Sequence, residues 1–171
     1  MATLLPLAYY RVSDSPRREM NGGRAAAETE NAMPPCAEVC FEVPFHDVDM
    51  MGVVWHGHYY KYFELARTAL FRQFDCDGSR LHDLGYLLPV IDSHCRYIAP
   101  LTYDLGVRVT STLVEIAYRI KIAYLLSNAS TGERLARGST IQVAVKRDGF
   151  ELCYVIPSVI SGCFQGEPCG S

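Results

Sequence analysis

Five residues able to carry chemistry lie close together in a stretch that reads HDVDMMGVVWHGHYY: they are His46, Asp47, Asp49, His56 and His58. An ionised carboxylate there can take a proton from water, or attack an electrophilic carbonyl itself. A helical pattern follows at once, and the start of a helix offers unpaired N–H groups and a partial positive charge. Such a helix start can stabilise an oxygen that becomes negative during acyl transfer.

The two aspartates also have more ordinary interpretations. An aspartate before a helix commonly caps it or stabilises a turn. Two acids at a spacing of two, with histidines seven and nine residues after Asp49, could instead bind a metal ion. A metal site is disfavoured because no regular element brings a third ligand beside them. Residue types alone therefore leave capping, catalysis and metal binding open, with capping favoured.

Hydrophobic periodicity predicts the elements on either side of this stretch. Residues 38–45 alternate polar and apolar, which indicates a strand with one buried face. Residues 57–74 carry apolar side chains at spacings of three and four, which predicts a long helix buried over much of its surface. Gly57 has no side chain, so a ligand could approach its backbone closely. The apolar face of the first strand consists of Val39, Phe41, Val43 and Phe45.

Strand patterns dominate the rest of the chain. Near residues 115–119 the apolar side chains of the strand pattern change from odd to even positions. This change indicates a tight hairpin or a bulge. Before the strands, Ser79 could cap a short helical turn. One long apolar helix with a run of antiparallel strands predicts an α+β fold. The predicted strands cover residues 86–98, 105–115, 117–127 and 134–146.

Composition divides the chain of 171 residues into one domain and two ends. Residues 1–36 lack periodicity and contain Asn-Gly-Gly and a proline pair, so we predict a flexible N-terminal extension. Glycine and proline among small residues predict a flexible C-terminal tail over 161–171. The folded domain is therefore expected to cover residues 37–160.

Charge and cysteine content narrow the classes of protein. A net charge of −3 gives no basic excess for nucleic acid, and no apolar run approaches the roughly 18 residues that span a bilayer. The seven cysteines are odd in number and form no CxxC pair, which favours reduced thiols over a disulfide framework. The N-terminus lacks the pattern of a secretory signal. We expect a cytoplasmic protein, with import into an organelle left open by the early arginines.

The segment FHDVDMMGVVWHGHYYKYFELAR resembles the signature of the 4-hydroxybenzoyl-CoA thioesterase-like family, including its broad acyl-CoA thioesterase branch. The resemblance continues in shorter pieces and spans most of residues 38–147. Its signature pieces are Asp47-Val48-Asp49, Gly52-Val53-Val54-Trp55-His56 and Phe63-Glu64-Leu65-Ala66-Arg67, followed by Leu88-Pro89-Val90, Arg96-Tyr97-Ile98-Ala99-Pro100-Leu101 and Ala136-Arg137-Gly138.

The resemblance implies a hotdog fold, in which an antiparallel sheet of five or six strands wraps around one long helix. It implies that Asp49 is the catalytic carboxylate and that His56 contributes through its backbone, its side chain or both. The amides of His56, Gly57 and His58 are then the expected binding site for the thioester oxygen. Asp47 is expected to stabilise the loop. The family needs no metal and no organic cofactor.

The expected function is that of an enzyme, a thioester hydrolase that converts acyl-CoA to a carboxylic acid and CoA. Release of a product from an acyl-carrier protein, and a non-catalytic module that binds acyl thioesters, remain alternatives. The resemblance implies a homodimer or homotetramer, with Ser93 and Arg96 near the seam and the Glu64–Arg67 pair fixing the helix there. Met50 and Met51 replace the small residues common in relatives, so they are expected to narrow or re-line the acyl pocket.

Overall fold

An antiparallel sheet of six strands wraps around one long helix in this computed structural model, which describes residues 11–12 and 34–165. The helix, α1, covers His58–Gln73, and two short helices follow it, α2 over Gly78–Asp83 and α3 over Ser158–Ser161. The strands are β1 (Arg11–Val12), β2 (Cys36–Glu42), β3 (Tyr86–Leu87), β4 (Val90–Tyr97), β5 (Gly106–Ile116), β6 (Ile120–Asn128), β7 (Arg134–Gln142), β8 (Ala144–Lys146) and β9 (Leu152–Cys153).

The main sheet has the order β1-β2-β5-β6-β7-β4, and every neighbouring pair is antiparallel. A second, small sheet has the order β3-β8-β9. The predicted α+β class and hotdog fold are confirmed, and so is a sheet of five or six strands around one helix. The 16 residues of α1 agree with the helical pattern over 57–74 to within one residue at each end.

The core lies between the concave face of the sheet and α1. Tyr62, Phe63 and Leu70 of the helix are at most 1% exposed, and burial of each such side chain contributes about 1.5–3 kcal/mol. A hydrogen bond ties the two layers together, because the buried Ser111 hydroxyl on β5 donates to the Ala66 carbonyl of α1 at 2.9 Å.

Gly138 of β7 lies under the Phe63 ring of the helix. A Cβ atom there would be 2.5 Å from the Phe63 ring and from the His94 carbonyl oxygen, so a side chain cannot be accommodated without a shift. Phe63 stacks on Tyr124 of β6, with the ring centroids 4.5 Å apart. The helix is therefore seated directly against the strands.

Two local predictions are wrong. Phe45 does not belong to the buried face of the first strand: it is 77% exposed, because β2 ends at Glu42 and a 3-10 helix over Phe45–Asp47 follows Pro44. The cap of α2 is Asp77 rather than Ser79, since the Asp77 carboxylate accepts the Arg80 N–H.

The predicted strands agree with the observed ones in position but not always in continuity. The hairpin and the bulge that the sequence pattern predicts near residues 115–119 are both present. Residues 117–119 form a hairpin loop, and the pairing of β5 with β6 shifts register between Leu113 and Glu115. The pattern over 86–98 is divided between β3 and β4, and that over 134–146 between β7 and β8.

The ends of the chain fall mostly outside the described residues. Of the predicted extension over 1–36, the structure describes 11–12, which form β1 and pair with β2, and 34–36. Of the predicted tail over 161–171, it describes 161–165, where Phe164 is buried against Phe71 and Phe74. The domain boundaries stay predictions. Within the described ranges, no helix has the length and hydropathy needed to cross a membrane.

Candidate active site

The loop between β2 and α1 is folded tightly on itself. Val48 and Val54 form an isolated antiparallel bridge. At the tip, the Asp49 N–H donates to the Val53 carbonyl at 2.9 Å and the Gly52 N–H donates to the Asp49 carbonyl at 3.0 Å. Gly52 has a φ of 78°, a left-handed conformation that glycine adopts without strain. These backbone bonds fix the position of Asp49 before its side chain makes any contact.

Asp47 is the buried anchor of this loop. Its side chain is fully buried and forms an ion pair with Lys61, and it accepts the Tyr62 hydroxyl at 2.7 Å. Burial acts to raise the pKa of Asp47, but hydrogen bonds from Lys61 and Tyr62 and the nearby positive charges outweigh it and leave the pKa lowered. The Asp47 carbonyl also accepts the Trp55 N–H at 3.0 Å. These contacts agree with the loop-stabilising role expected for Asp47.

Asp49 has a different environment. Its Oδ1 accepts the Met51 N–H at 2.8 Å, and its Oδ2 has no hydrogen-bond partner among the described residues. Asp49 and His56 both line one cavity of about 300 Å³. The structure therefore places the two predicted site residues, Asp49 and His56, on one cavity.

The other walls of this cavity are mainly apolar or aromatic. The loop, the first turn of α1 and the end of β4 all contribute, so the cavity lies where three elements meet. Met51 is one of the lining residues, whereas Met50 is fully exposed and lies away from the cavity. The main further contributors are Val53, Tyr59, Tyr97, Ile98 and Pro100.

The start of α1 corrects the expectation for His58. Its N–H donates to the Trp55 carbonyl at 2.9 Å, so this amide is already engaged. Its imidazole lies against the Trp55 ring and has Nε2 3.7 Å from Asp47 Oδ1. By contrast, the N–H groups of His56 and Gly57 have no partner among the residues that the structure describes.

Gly57 is required for a reason that the sequence did not reveal. A Cβ atom on Gly57 would be 2.0 Å from the Trp55 indole, so the ring occupies the space that a side chain would need. The sequence alone predicts that this space is open to a ligand. Trp55 fills it instead, and the tight packing fixes the turn that leads into α1.

Two tyrosines of the site were not identified from the sequence. Tyr97, near the end of β4, donates its hydroxyl to the His56 carbonyl at 3.2 Å. Its ring meets the buried Tyr59 ring edge to face, with centroids 4.8 Å apart, and burial raises the pKa of Tyr59. Both residues fall inside the resembling segments, but no spacing signal joins Tyr97 to a residue 41 positions earlier.

The remaining predictions concern the helix surface and metals. Glu64 and Arg67 form the expected ion pair on α1. Among the described side chains, no group of three or more His, Cys, Asp or Glu converges to hold a metal ion. The geometry explains this, since Asp47 is engaged by Lys61 whereas Asp49 lines the cavity.

Comparisons with known proteins agree with this architecture. A family model described as the thioesterase-like superfamily matches residues 43–160. A Bacillus subtilis protein provisionally named acyl-CoA thioesterase YneP is 29% identical over 112 residues, which cover 64% of this chain and 80% of that protein.

Two further similar proteins differ in the share of their length that this chain covers. An Aquifex aeolicus protein provisionally named an esterase is 33% identical over 75 residues, which cover 44% of this chain and only 59% of that protein. The solved structure of a DHNA-CoA thioesterase from Staphylococcus aureus superposes with a TM-score of 0.65 at 26% identity, and the match covers 70% of this chain and 80% of that one.

Proposed function

The chain belongs to the thioesterase-like superfamily, and from this premise we propose that it hydrolyses an acyl-CoA thioester to a carboxylic acid and CoA. One observation carries the proposal. Asp49, which has one carboxylate oxygen without a hydrogen-bond partner among the described residues, and His56, whose N–H also has none there, line one largely apolar cavity.

The chemistry follows from these two groups. The His56 N–H donates to the thioester oxygen as it becomes negative, and one such donor contributes on the order of 3 kcal/mol in other enzymes. Asp49 either takes a proton from an attacking water or attacks the carbonyl carbon itself to form a mixed anhydride that water then opens. In both routes the carbon–sulfur bond breaks: in the first, the proton that Asp49 took from water passes to the sulfur, and in the second, CoA leaves as a thiolate that takes a proton from solvent.

The cavity walls suit this reaction. Apolar and aromatic side chains offer a surface on which an acyl group can pack, and charge interactions strengthen in a medium of lower dielectric constant. The cavity also opens beside the exposed Met51, so acyl groups of different shape can meet a flexible side chain there.

Replacement of Asp49 by Asn tests the proposal, because Asn keeps the acceptor for the Met51 N–H and removes the charge. We expect kcat for acyl-CoA hydrolysis to fall by roughly 10²–10⁴-fold, the usual contribution of a general base. Asp83→Asn is the matched control, since that side chain is 77% exposed at the end of α2. Hydrolysis by Asp49→Asn at the parental rate would refute the assignment.

Assays of thiol release should compare aliphatic CoA, aryl CoA and acyl-carrier-protein thioesters. Turnover of the CoA thioesters supports the proposal. If only the carrier-protein thioester is hydrolysed, the substrate is an acyl-carrier-protein thioester rather than an acyl-CoA. If thioesters bind but none is hydrolysed, an enzymatic function is contradicted.

The edge strand β4 supports a further part of the proposal, a homodimer that can double to a homotetramer. Among the described residues β4 pairs only with β7, so its other edge is open; Ile91 on β4 is 60% exposed, and Ile98, directly after the strand, is 52% exposed. Pairing of two β4 edges would bury them and bring Ser93 and Arg96 to the seam. Because Ile98 also lines the cavity, a partner would help to enclose the site.

Light scattering tests this assembly. We expect a mass of two or four subunits, and Ile91→Lys should reduce it to one. Val114→Lys is the control, because Val114 is similarly exposed, at 57%, on the interior strand β5. A parental mass of a single subunit would contradict the shared site.

A further inference from the structure

Two consecutive peptide units meet at His56, and each carbonyl oxygen accepts a hydrogen bond from outside the unit. The Trp55 carbonyl accepts the His58 N–H at 2.9 Å. The His56 carbonyl accepts the Tyr97 hydroxyl at 3.2 Å. Because the described chain contains no cis peptide bond, C=O and N–H point in opposite directions in each unit. A bond that fixes the carbonyl therefore also fixes the direction of the N–H.

The two bonds differ in origin. His58 is local and belongs to the same turn, so its bond forms whenever the helix starts there. Tyr97 comes from β4, where it pairs with Ala136 of β7. Its ring is held edge to face against Tyr59 in the first turn of α1. The Tyr97 hydroxyl is thus a brace that connects the sheet to the turn.

We propose that Tyr97 is a positioning residue for the hydrolysis, and that its hydroxyl holds the His56 carbonyl so that the Gly57 N–H is aimed at the thioester oxygen beside the His56 N–H. The inference rests on the function proposed above. The hydroxyl acts through the backbone rather than on the reacting atoms. It also polarises the peptide unit that carries the Gly57 N–H, because hydrogen bonds in a chain strengthen one another.

The state of the phenol suits this role. Burial, and then the neighbouring Cys95 thiol, raise the pKa of Tyr97 to about 12. The hydroxyl therefore keeps its proton at every pH at which the protein is expected to work, and it remains a donor. A contribution that depends on this donor should not change with pH below about 10.

Two substitutions separate the hydroxyl from the ring. Tyr97→Phe removes one oxygen and leaves the contact with Tyr59 in place. We expect kcat to fall about tenfold, which corresponds to the loss of one hydrogen bond, with KM unchanged within about twofold. Tyr97→Leu also removes the aromatic wall, so KM should rise in addition. The control is Tyr118→Phe, because Tyr118 is 70% exposed in the hairpin between β5 and β6.

A spectroscopic measurement reports on the brace itself. The Gly57 nitrogen shares its peptide unit with the His56 carbonyl, so its ¹⁵N resonance should move when the bond from Tyr97 is lost. Glycine-selective labelling gives a simple spectrum, since the chain has 13 glycines. We expect the Gly57 resonance to shift in Tyr97→Phe and to stay in place in Tyr118→Phe.

The outcomes decide between the roles. A lower kcat together with a shifted Gly57 resonance supports the proposal. A lower kcat without that shift means that the hydroxyl contacts substrate directly, and a shift without loss of kcat means that catalysis does not use the brace; either result overturns it. If the parent protein hydrolyses no thioester, the proposed function is wrong, and the inference that rests on it is wrong as well. An active parent with an unaffected Tyr97→Phe variant overturns the inference alone.

Discussion

Asp47 and Asp49 are the same residue type two positions apart, yet the fold gives them opposite surroundings. The Asp47 side chain is fully buried and engaged by Lys61 and Tyr62, and its pKa is lowered. Asp49 accepts one hydrogen bond from the loop, and it lines a cavity. An engaged carboxylate stabilises structure, whereas a carboxylate with a spare oxygen at a cavity is available for chemistry. Environment, not residue type, distinguishes the two carboxylates.

Substitution of each aspartate by alanine tests this comparison most strongly. Asp47→Ala removes the hydrogen bond from the buried Tyr62 hydroxyl and the ion pair with Lys61, so we expect the free energy of unfolding to fall by about 3 kcal/mol. Asp49→Ala should change it by less than about 0.5 kcal/mol while abolishing hydrolysis. Urea unfolding measures both. Equal losses of stability would remove the distinction between the two carboxylates.

A smaller change isolates one contact of the anchor. Tyr62→Phe removes the hydroxyl that donates to Asp47 at 2.7 Å and leaves the ring in the core. We expect a loss of about 1–2 kcal/mol in the free energy of unfolding, with kcat within about twofold of the parental value. Tyr118→Phe, on the exposed hairpin, serves as the control and should leave the stability unchanged. A large loss of activity with little loss of stability would place Tyr62 in the site instead.

The smallest expected effect is on how the free energy of unfolding depends on pH under acidic conditions. The pKa of Asp47 is held below its ordinary value of 3.8, so its contribution is present above about pH 4 and is lost as pH falls through the folded-state pKa. The stability difference between parent and Asp47→Asn should therefore be constant at neutral pH and shrink below about pH 4. Unfolding measured across pH gives this difference. A difference that grows toward low pH would contradict a lowered pKa.

Local patterns predicted most of the fold because they depend on neighbours in sequence. The spacing of apolar residues located α1 to within one residue at each end, and the change of apolar side chains from odd to even positions located the hairpin after β5. The errors occur where a single contact decides. Phe45 continued the alternation of β2, yet Pro44 and the 3-10 turn placed it in solvent. Asp77 and Ser79 are both good caps, and only geometry selects Asp77.

The candidate site was predictable only where it lies in one segment. Asp49 and His56 belong to a continuous stretch, and the structure puts them on one cavity. The His58 N–H donates to the Trp55 carbonyl because of the conformation of the turn, and residue types do not specify that conformation. Tyr97 reaches His56 only because the sheet brings β4 beside the start of α1. Contacts between distant segments are a property of the fold, and no spacing rule encodes them.

The C-terminal end of α1 is held by the segment that follows α3. Phe164 packs on Phe71 and Phe74, with ring centroids 5.4 Å and 5.3 Å apart, in the segment after α3. The helix is thus held at both ends, by the Asp47–Lys61 ion pair near its N-terminus and by aromatic rings near its C-terminus. A protein shortened after residue 160 would lose the Phe164 ring and expose the rings of Phe71 and Phe74 to water, so removal of this segment should loosen the C-terminal end of α1.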